Sequence, residues 1–155
     1  MLTGHCSCGA IRYELTDMPL YTHACHCTWC QRETGSAFVL NALIETACVR
    51  LTHGSPDIIE TPSASGKGQR IHRCPTCKVA LWSVYSGAGE RFRFVRVGTL
   101  AEPARVPPDI HIFTTTKLPW LVLPEGANVV PEYYDRKKYW PQASLDRRSA
   151  VLATD

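Results

Sequence analysis

The sequence predicts a mainly β, antiparallel fold in a single domain, and three observations lead to this prediction. Short apolar segments alternate with turn residues along most of the 155-residue chain. Pro103, Pro107 and Pro108 exclude a long helix from the region between two such segments. No stretch shows a convincing helical period of 3.6 residues before residues 142–152.

The individual strands are predicted from local patterns. Residues 11–15 alternate apolar with charged side chains, which is typical of a half-buried strand. Residues 37–44 are almost continuously apolar and predict a fully buried strand. Residues 62–68 are rich in glycine, serine and proline, and they predict the tip of a hairpin. The predicted strands are residues 11–15, 37–44, 48–52, 58–61, 69–73, 80–85, 92–97 and 110–115.

No segment has the composition of a linker between domains, and no sequence repeat is apparent. We therefore expect one domain over residues 1–135 that carries the functional residues. Residues 136–155 form a C-terminal tail, in which residues 142–152 are either helical or frayed.

The composition narrows the classes of function. A net charge of +3 with a basic run of only Arg136, Lys137 and Lys138 makes nucleic acid an unlikely partner. No run approaches the ~18 apolar residues of a membrane span, so no membrane partner is expected. The first residues lack the charged and apolar regions of a secretory signal, which favours a cytoplasmic location. The oligomeric state is not predicted.

The cysteines carry the strongest functional information. Short paired spacings let thiolates converge on one metal ion, usually Zn²⁺, and reduced thiols in the cytoplasm favour metal binding over disulfides. The clustered cysteines are seven in number. Seven ligands divide into a set of four, which closes a structural site, and a set of three, which leaves one position for a substrate. Seven of the eight cysteines lie in clusters: Cys6-x-Cys8, Cys25-x-Cys27-x-x-Cys30 and Cys74-x-x-Cys77.

The first set joins the start of the chain to its middle. In an extended segment Cys6 and Cys8 point to the same face, about 6.6 Å apart along the strand, and a slight bend lets both bind one metal. Cys74 and Cys77 form a two-ligand knuckle in which proline pre-sets the turn. Together they predict a four-thiolate zinc site that stabilises the fold.

The second set is local. Cys25, Cys27 and Cys30 offer three sulfurs within six residues and leave the fourth corner of a tetrahedron open. Zinc held there lowers the pKa of a bound substrate thiol. Two alternatives are less favoured. A redox pair of the thioredoxin type would need a βαβ pattern, which is missing from the sequence. A single zinc ribbon would need far fewer residues between its two cysteine pairs than the 43 that separate Cys30 from Cys74. The eighth cysteine, Cys48, lies in an apolar segment and is interpreted as a core residue.

The ordered set of cysteine motifs resembles the glutathione-dependent formaldehyde-activating enzyme family, which includes centromere protein V-like domains. The resemblance covers roughly residues 2–125. It implies a zinc-containing β-tent fold with two sites. Cys6, Cys8, Cys74 and Cys77 match the structural site, and Cys25, Cys27 and Cys30 match a more labile site where glutathione engages. The matching segments are residues 4–13, residues 25–31, Gly35-Ser36, residues 74–77, Gly98 and residues 108–112 ahead of Trp120.

Two positions depart from the family pattern. The second knuckle usually reads Cys-x-x-Cys-Gly, but here Lys78 follows Cys77. A requirement for positive φ at this position would strain Lys78 by about 1–2 kcal/mol. An aromatic residue often precedes the knuckle, and here it is Arg73. Neither change removes a ligand.

Two residues beside the second set are candidates for substrate chemistry. Arg32 is the best candidate to bind the carboxylates of a glutathione-like tripeptide, whereas Lys67, Arg70 and Arg73 are interpreted as surface charges. His26, between two ligands, is a hydrogen-bonding residue next to the site, a proton donor or a surface histidine.

The leading hypothesis is a zinc-dependent carbon–sulfur lyase. It would act on glutathione or a similar thiol and on formaldehyde or a related small aldehyde, forming or cleaving the S-hydroxymethyl adduct. Catalysis would rest on Cys25, Cys27 and Cys30 with His26 or water as proton donor. The alternative is a non-catalytic zinc-binding β-domain for macromolecular interaction or for carriage of the adduct.

Overall fold

Ten strands form two open β-sheets in the computed structural model, which describes residues 1–153. The three-stranded sheet has the order β1-β2-β5, and the seven-stranded sheet has the order β10-β3-β4-β9-β8-β7-β6. The strands are β1 (Leu2–His5), β2 (Arg12–Leu15), β3 (Tyr21–Cys25), β4 (Val39–Glu45), β5 (Val49–His53), β6 (Asp57–Thr61), β7 (Gln69–Arg73), β8 (Ala80–Tyr85), β9 (Phe92–Arg96) and β10 (Ile110–Ile112). The helices are α1 (Thr28–Thr34), α2 (Arg136–Tyr139) and α3 (Gln142–Ala153), with 3-10 turns at Thr46–Cys48, Val97–Thr99, Pro103–Arg105 and Thr114–Thr116.

The mainly β, single-domain prediction is confirmed. Every pair of neighbouring strands is antiparallel except β3 and β10, which run parallel to each other. The predicted strand at residues 110–115 ends early, at Ile112, since Phe113 adopts a left-handed conformation with φ of 55°. Sequence patterns missed β1 and β3.

The first of two cores lies between the sheets. Tyr13 and Trp82 pack edge to face with ring centroids 5.5 Å apart, and both side chains are buried. Cys6 and Cys74 belong to the same cluster of buried side chains. One cysteine set is therefore embedded in this core.

The second core covers the opposite face of the seven-stranded sheet. Alternation along β4 separates the two cores, since Val39 and Leu43 pack in the second and Ala42 and Ile44 in the first. Trp140, beyond the last strand, is buried in the second core. The C-terminal segment is thus packed onto the sheet.

Residues 142–152, predicted as helical or frayed, lie within the helix α3. Arg147 on α3 donates two hydrogen bonds to the Glu45 carboxylate at 2.9 and 2.7 Å and a third to the Met18 carbonyl at 3.0 Å. The division of the chain at residue 135 stays a prediction. Among residues 1–153, no helix combines the length and apolar character needed to cross a membrane.

Candidate metal centres and the adjoining cavity

The four-cysteine set, Cys6, Cys8, Cys74 and Cys77, comes together at one point. The Sγ atoms of Cys6 and Cys8 lie 3.5 Å apart, those of Cys8 and Cys74 lie 3.6 Å apart, and all four lie within 4.8 Å of one another. Tetrahedral zinc at ~2.3 Å from each sulfur places sulfurs about 3.8 Å apart. No cysteine of the chain forms a disulfide. The donor set and its spacing fit a closed zinc site.

Backbone amides support these sulfurs. The Ile11 amide donates to Cys6 Sγ at 3.3 Å, and the Thr76 and Cys77 amides donate to Cys74 Sγ at 3.4 and 3.5 Å. Such bonds stabilise thiolates. They also fold the knuckle so tightly that Lys78, the next residue after Cys77, has φ of 62°. The condition under which strain was expected at Lys78 is therefore met.

Arg73 connects the two cysteine sets. Its guanidinium donates to the Lys78 carbonyl at 3.0 Å and pairs with the carboxylate of Glu33 on α1. Glu33 lies one helical turn after Cys30, and Arg73 immediately precedes Cys74. The two departures from the family pattern, Arg73 and Lys78, are therefore in direct contact.

The three-cysteine set is built at the junction of β3 and α1. Cys25 ends β3, Cys27 is the N-cap of α1 and accepts a hydrogen bond from the Cys30 amide at 3.4 Å, and Cys30 lies in the first turn. Gly35 ends the helix in a left-handed conformation with φ of 63°. The three Sγ atoms lie within 4.8 Å of one another, which fits three corners of a zinc site.

Side chains beyond the cysteines hold this loop. Gln31 on α1 donates to the His26 carbonyl at 2.7 Å and to the Thr116 carbonyl at 2.9 Å. The Thr116 hydroxyl donates to the same His26 carbonyl at 3.0 Å. The backbone between the ligands is fixed from two sides, so the sulfurs are positioned before any metal binds.

The three thiols of this set change one another's pKa values. Hydrogen bonds from Cys25 and Cys30 lower the pKa of Cys27 to about 2, whereas the contacts with Cys27 and Cys30 raise the pKa of Cys25. A first thiolate is thus readily formed, and further ones repel it in the absence of a cation. This behaviour suits a site that is completed by a divalent metal.

The three cysteines form part of the wall of a cavity of about 410 Å³, and the four-cysteine set does not contribute to it. Trp29, inside the three-cysteine loop, also lines the cavity, whereas Trp82 is buried in the first core. The other walls are largely aromatic. They include Tyr85, Phe92, Phe94, Phe113 and Tyr133.

His23 is a buried cavity residue that the sequence analysis missed. It lies two residues before Cys25 on β3, so both side chains point to the same face. Its Nε2 lies 2.6 Å from the Tyr134 hydroxyl, and that hydroxyl accepts a hydrogen bond from Trp140 Nε1 at 2.7 Å. Burial lowers the pKa of His23 to about 4, which keeps the ring neutral at pH 7. The period-2 spacing from Cys25 was the available indication.

His26, the predicted proton donor, is fully buried on the other side of the loop. Its Nε2 lies 3.0 Å from Nδ1 of His111, and its ring packs on Phe38. It is not among the residues that line the cavity. Burial lowers the pKa of His26 to about 4. Its catalytic role stays a prediction, and the position is that of a structural residue.

Arg32 is exposed on α1 and lies outside the cavity wall, so its role in carboxylate binding also stays a prediction. Lys67, interpreted as a surface charge, does line the cavity. Arg70 and Arg73 instead form ion pairs with Glu90 and Glu33. Two further cavity residues, Arg136 and Arg148, lie in the C-terminal tail, and the sequence analysis did not predict a role for either at the site.

One buried cation stands beside the three-cysteine set. Arg96 on β9 donates to Asn41 and, at 2.8 Å, to the Ser83 hydroxyl, and its charge interacts with Cys30. Among the described residues it has no carboxylate partner. Its positive charge partly offsets the negative charge of the thiolates.

A β-sheet protein with one closed and one open cysteine set of metal-site geometry is the class that the fold and these sites define. The family model described as glutathione-dependent formaldehyde-activating enzyme matches residues 1–116. The chain therefore belongs to this family. The match includes all seven clustered cysteines.

Two individual proteins are similar to the chain. A protein of Halomonas elongata, provisionally named a glutathione-dependent formaldehyde-activating enzyme, is 25% identical over 126 residues, which cover 78% of this chain and 80% of that protein. A crystal structure of a Rhodobacter sphaeroides protein aligns with a TM-score of 0.50 and 19% identity over 64% of this chain and 87% of that one. The second similarity concerns the fold alone.

Proposed function

We propose that the chain is a zinc-dependent carbon–sulfur lyase acting on a thiol such as glutathione and on formaldehyde or a related small aldehyde. One observation carries the proposal. Cys25, Cys27 and Cys30 form part of a cavity wall, and among residues 1–153 no fourth histidine, cysteine or carboxylate joins their cluster. The family to which the chain belongs supports the choice of thiol and aldehyde.

The three thiolates would hold the zinc ion, which would supply Lewis acidity that favours the thiolate form of a substrate thiol near pH 7. The aromatic walls position the remainder of the thiol and limit access of water to the reacting atoms. In the adduct-forming direction, the sulfur forms a bond to the carbonyl carbon, and the π electrons of the carbonyl move to its oxygen. That oxygen then takes up a proton. The reverse sequence cleaves the S-hydroxymethyl adduct.

His23 is the side chain that we assign to proton transfer. Trp140 Nε1–H is only a donor, so the Tyr134 hydroxyl accepts from it and directs its own proton toward His23 Nε2. The neutral His23 ring then carries its proton on Nδ1. His23 lines the cavity, which makes it a better candidate for proton transfer to the developing alkoxide than His26, whose ring is buried outside the cavity.

The first test is metal stoichiometry by elemental analysis, before and after a mild chelator, followed by titration with glutathione. We expect two zinc ions per chain, one of which the chelator removes without unfolding and glutathione protects. Exchange between ¹³C-formaldehyde and its glutathione adduct, followed by NMR, should be faster than the uncatalysed rate. A single tightly held zinc with no response to glutathione would favour a macromolecular binding domain.

Carriage of the adduct is a second candidate, favoured by the cavity volume of about 410 Å³, which is ample for a bound small molecule. Thiols and formaldehyde combine without a catalyst, so a protein that only holds the adduct is also useful. Saturable binding of the adduct without faster exchange would identify carriage. Either role needs reduced thiols, and we place the protein in a reducing compartment such as the cytoplasm.

A further inference from the structure

Positive charge is concentrated along the cavity wall without any compensating carboxylate. Lys67, Arg136 and Arg148 line the cavity, and no aspartate or glutamate does. None of the three forms an ion pair with another described residue. Lys67 is exposed, whereas Arg136 and Arg148 are half-buried. Half-buried cations without a carboxylate partner raise the free energy of the folded chain, and an anionic ligand would offset this cost.

Neighbouring contacts direct the two arginines inward. Arg148 lies on α3 with its guanidinium 5.8 Å from the centre of the Phe92 ring, which also lines the cavity. The preceding residue, Arg147, fixes the rotation of α3 through its two hydrogen bonds to Glu45. Arg136 begins α2, where the Asp135 side chain caps the Lys137 amide at 3.0 Å.

The two arginines are also close enough to repel each other. Burial lowers the pKa of Arg148, and the charge of Arg136 lowers it further. Arg136 also lies beside the phenol of Tyr133, another cavity residue. Both guanidinium groups belong to the wall of the same cavity, and each can bind a carboxylate through two parallel hydrogen bonds.

We propose that Arg136 and Arg148, together with Lys67 from the β6–β7 hairpin, bind a carboxylate of the substrate. The cavity then selects thiols that carry a carboxylate at a distance from the sulfur, and the aromatic walls contact the part in between. The family match ends at residue 116, so both arginines belong to a segment outside it. The position of the sulfur rests on the proposed function, but the carboxylate contact does not.

The test uses the full-length, zinc-loaded protein and a probe whose sulfur is blocked. Isothermal titration calorimetry would compare S-methylglutathione with its diethyl ester, which lacks both carboxylates. We expect the acid to bind about 10-fold or more tightly than the ester, and Arg136→Gln or Arg148→Gln to reduce this ratio toward one. Arg148→Lys should retain part of the preference, because it keeps the charge but not the paired donors.

Arg105→Gln is the matched control, since Arg105 is exposed and pairs only with Glu102 at 3.0 Å. Its ratio should equal that of the parent protein, and thermal melts of all variants should be alike. A parent protein that does not prefer the acid, or a preference that survives both substitutions to glutamine, overturns the proposal.

Titration of free glutathione into Cys27→Ser separates this result from the proposed function. One pair of results would uphold the carboxylate contact and refute the metal–thiolate step. In this case the binding of S-methylglutathione still depends on the arginines, and free glutathione binds the parent protein and Cys27→Ser with equal affinity.

Discussion

The two cysteine sets offer the same type of metal ligand but differ in their spacing along the chain and in their surroundings. The four-cysteine set links segments 66 residues apart, and two of its members are buried in the core between the sheets. The three-cysteine set lies within six consecutive residues at the edge of the second core and forms part of a cavity wall. Loss of a metal from the first set would free two distant parts of the chain, whereas loss from the second would free one loop that hydrogen bonds already hold.

On the proposed function, the distance between ligands along the chain separates a stabilising site from a reactive one. A metal that closes a long loop contributes its binding free energy to folding. A metal bound by one short segment contributes little to folding and remains free to exchange ligands. The following predictions test this comparison, from the largest effect to the smallest.

Cys74→Ser should abolish cooperative folding. Apparent binding free energies of structural zinc, about 10–16 kcal/mol, equal or exceed the whole stability of a typical domain. Circular dichroism melts and zinc analysis would check this. A folded, soluble Cys74→Ser protein with one zinc would show that the first set does not stabilise the fold.

Cys27→Ser should remove the second zinc and lower the rate of adduct exchange by more than about 100-fold, while the free energy of unfolding falls by less than about 2 kcal/mol. Elemental analysis, exchange NMR and urea denaturation measure the three quantities. Cys48→Ser is the control, because Cys48 is half-buried outside both sets and should keep two zinc ions. Unfolding of Cys27→Ser would remove the contrast between the sets.

Arg73→Met tests whether the two sets are coupled. It leaves Glu33 without its partner at a position where the Glu33 side chain is only 16% exposed, and we expect a loss of about 1–3 kcal/mol in stability. A double-mutant cycle with Glu33→Gln should give a coupling energy above about 0.5 kcal/mol. Additive effects in the cycle would mean that the ion pair does not join the sets.

Lys78→Gly should stabilise the protein by about 1 kcal/mol, since φ of 62° strains any residue with a Cβ atom. The exposed contact of Lys78 with Asp57 at 3.4 Å adds little that would be lost. The urea midpoint measures the change. Lys78→Ala keeps the strain and should show no gain, and an equal gain in both variants would trace the effect to the side chain instead.

Local patterns predicted the parts of the molecule that local geometry decides. The cysteine spacings and the hairpin at residues 62–68 follow from a few neighbouring residues. The strand β3 was missed because Thr22 and His23 are polar, yet both are buried. Asp109 satisfies the Thr22 amide at 2.7 Å from 87 residues away, which no local pattern reveals.

The cavity was beyond prediction for the same reason. Its wall combines β3 and β9 with α2 and α3, which meet only through tertiary packing. Arg32 is adjacent to the cysteines in sequence but lies outside the wall, whereas Arg148 is more than a hundred residues away and lies within it. Proximity along the chain does not reveal charged groups on a helix that reaches the cavity only through tertiary packing.

The placement of Arg136, Arg148 and Tyr133 after residue 116 has an evolutionary consequence. The family-matched part contains every clustered cysteine, and the segment after residue 116 supplies part of the cavity wall. Mutations in the tail can therefore change which molecules enter while both metal-site geometries remain intact. Related proteins with the same cysteines and different tails would then diverge in substrate preference without any change in their reaction chemistry.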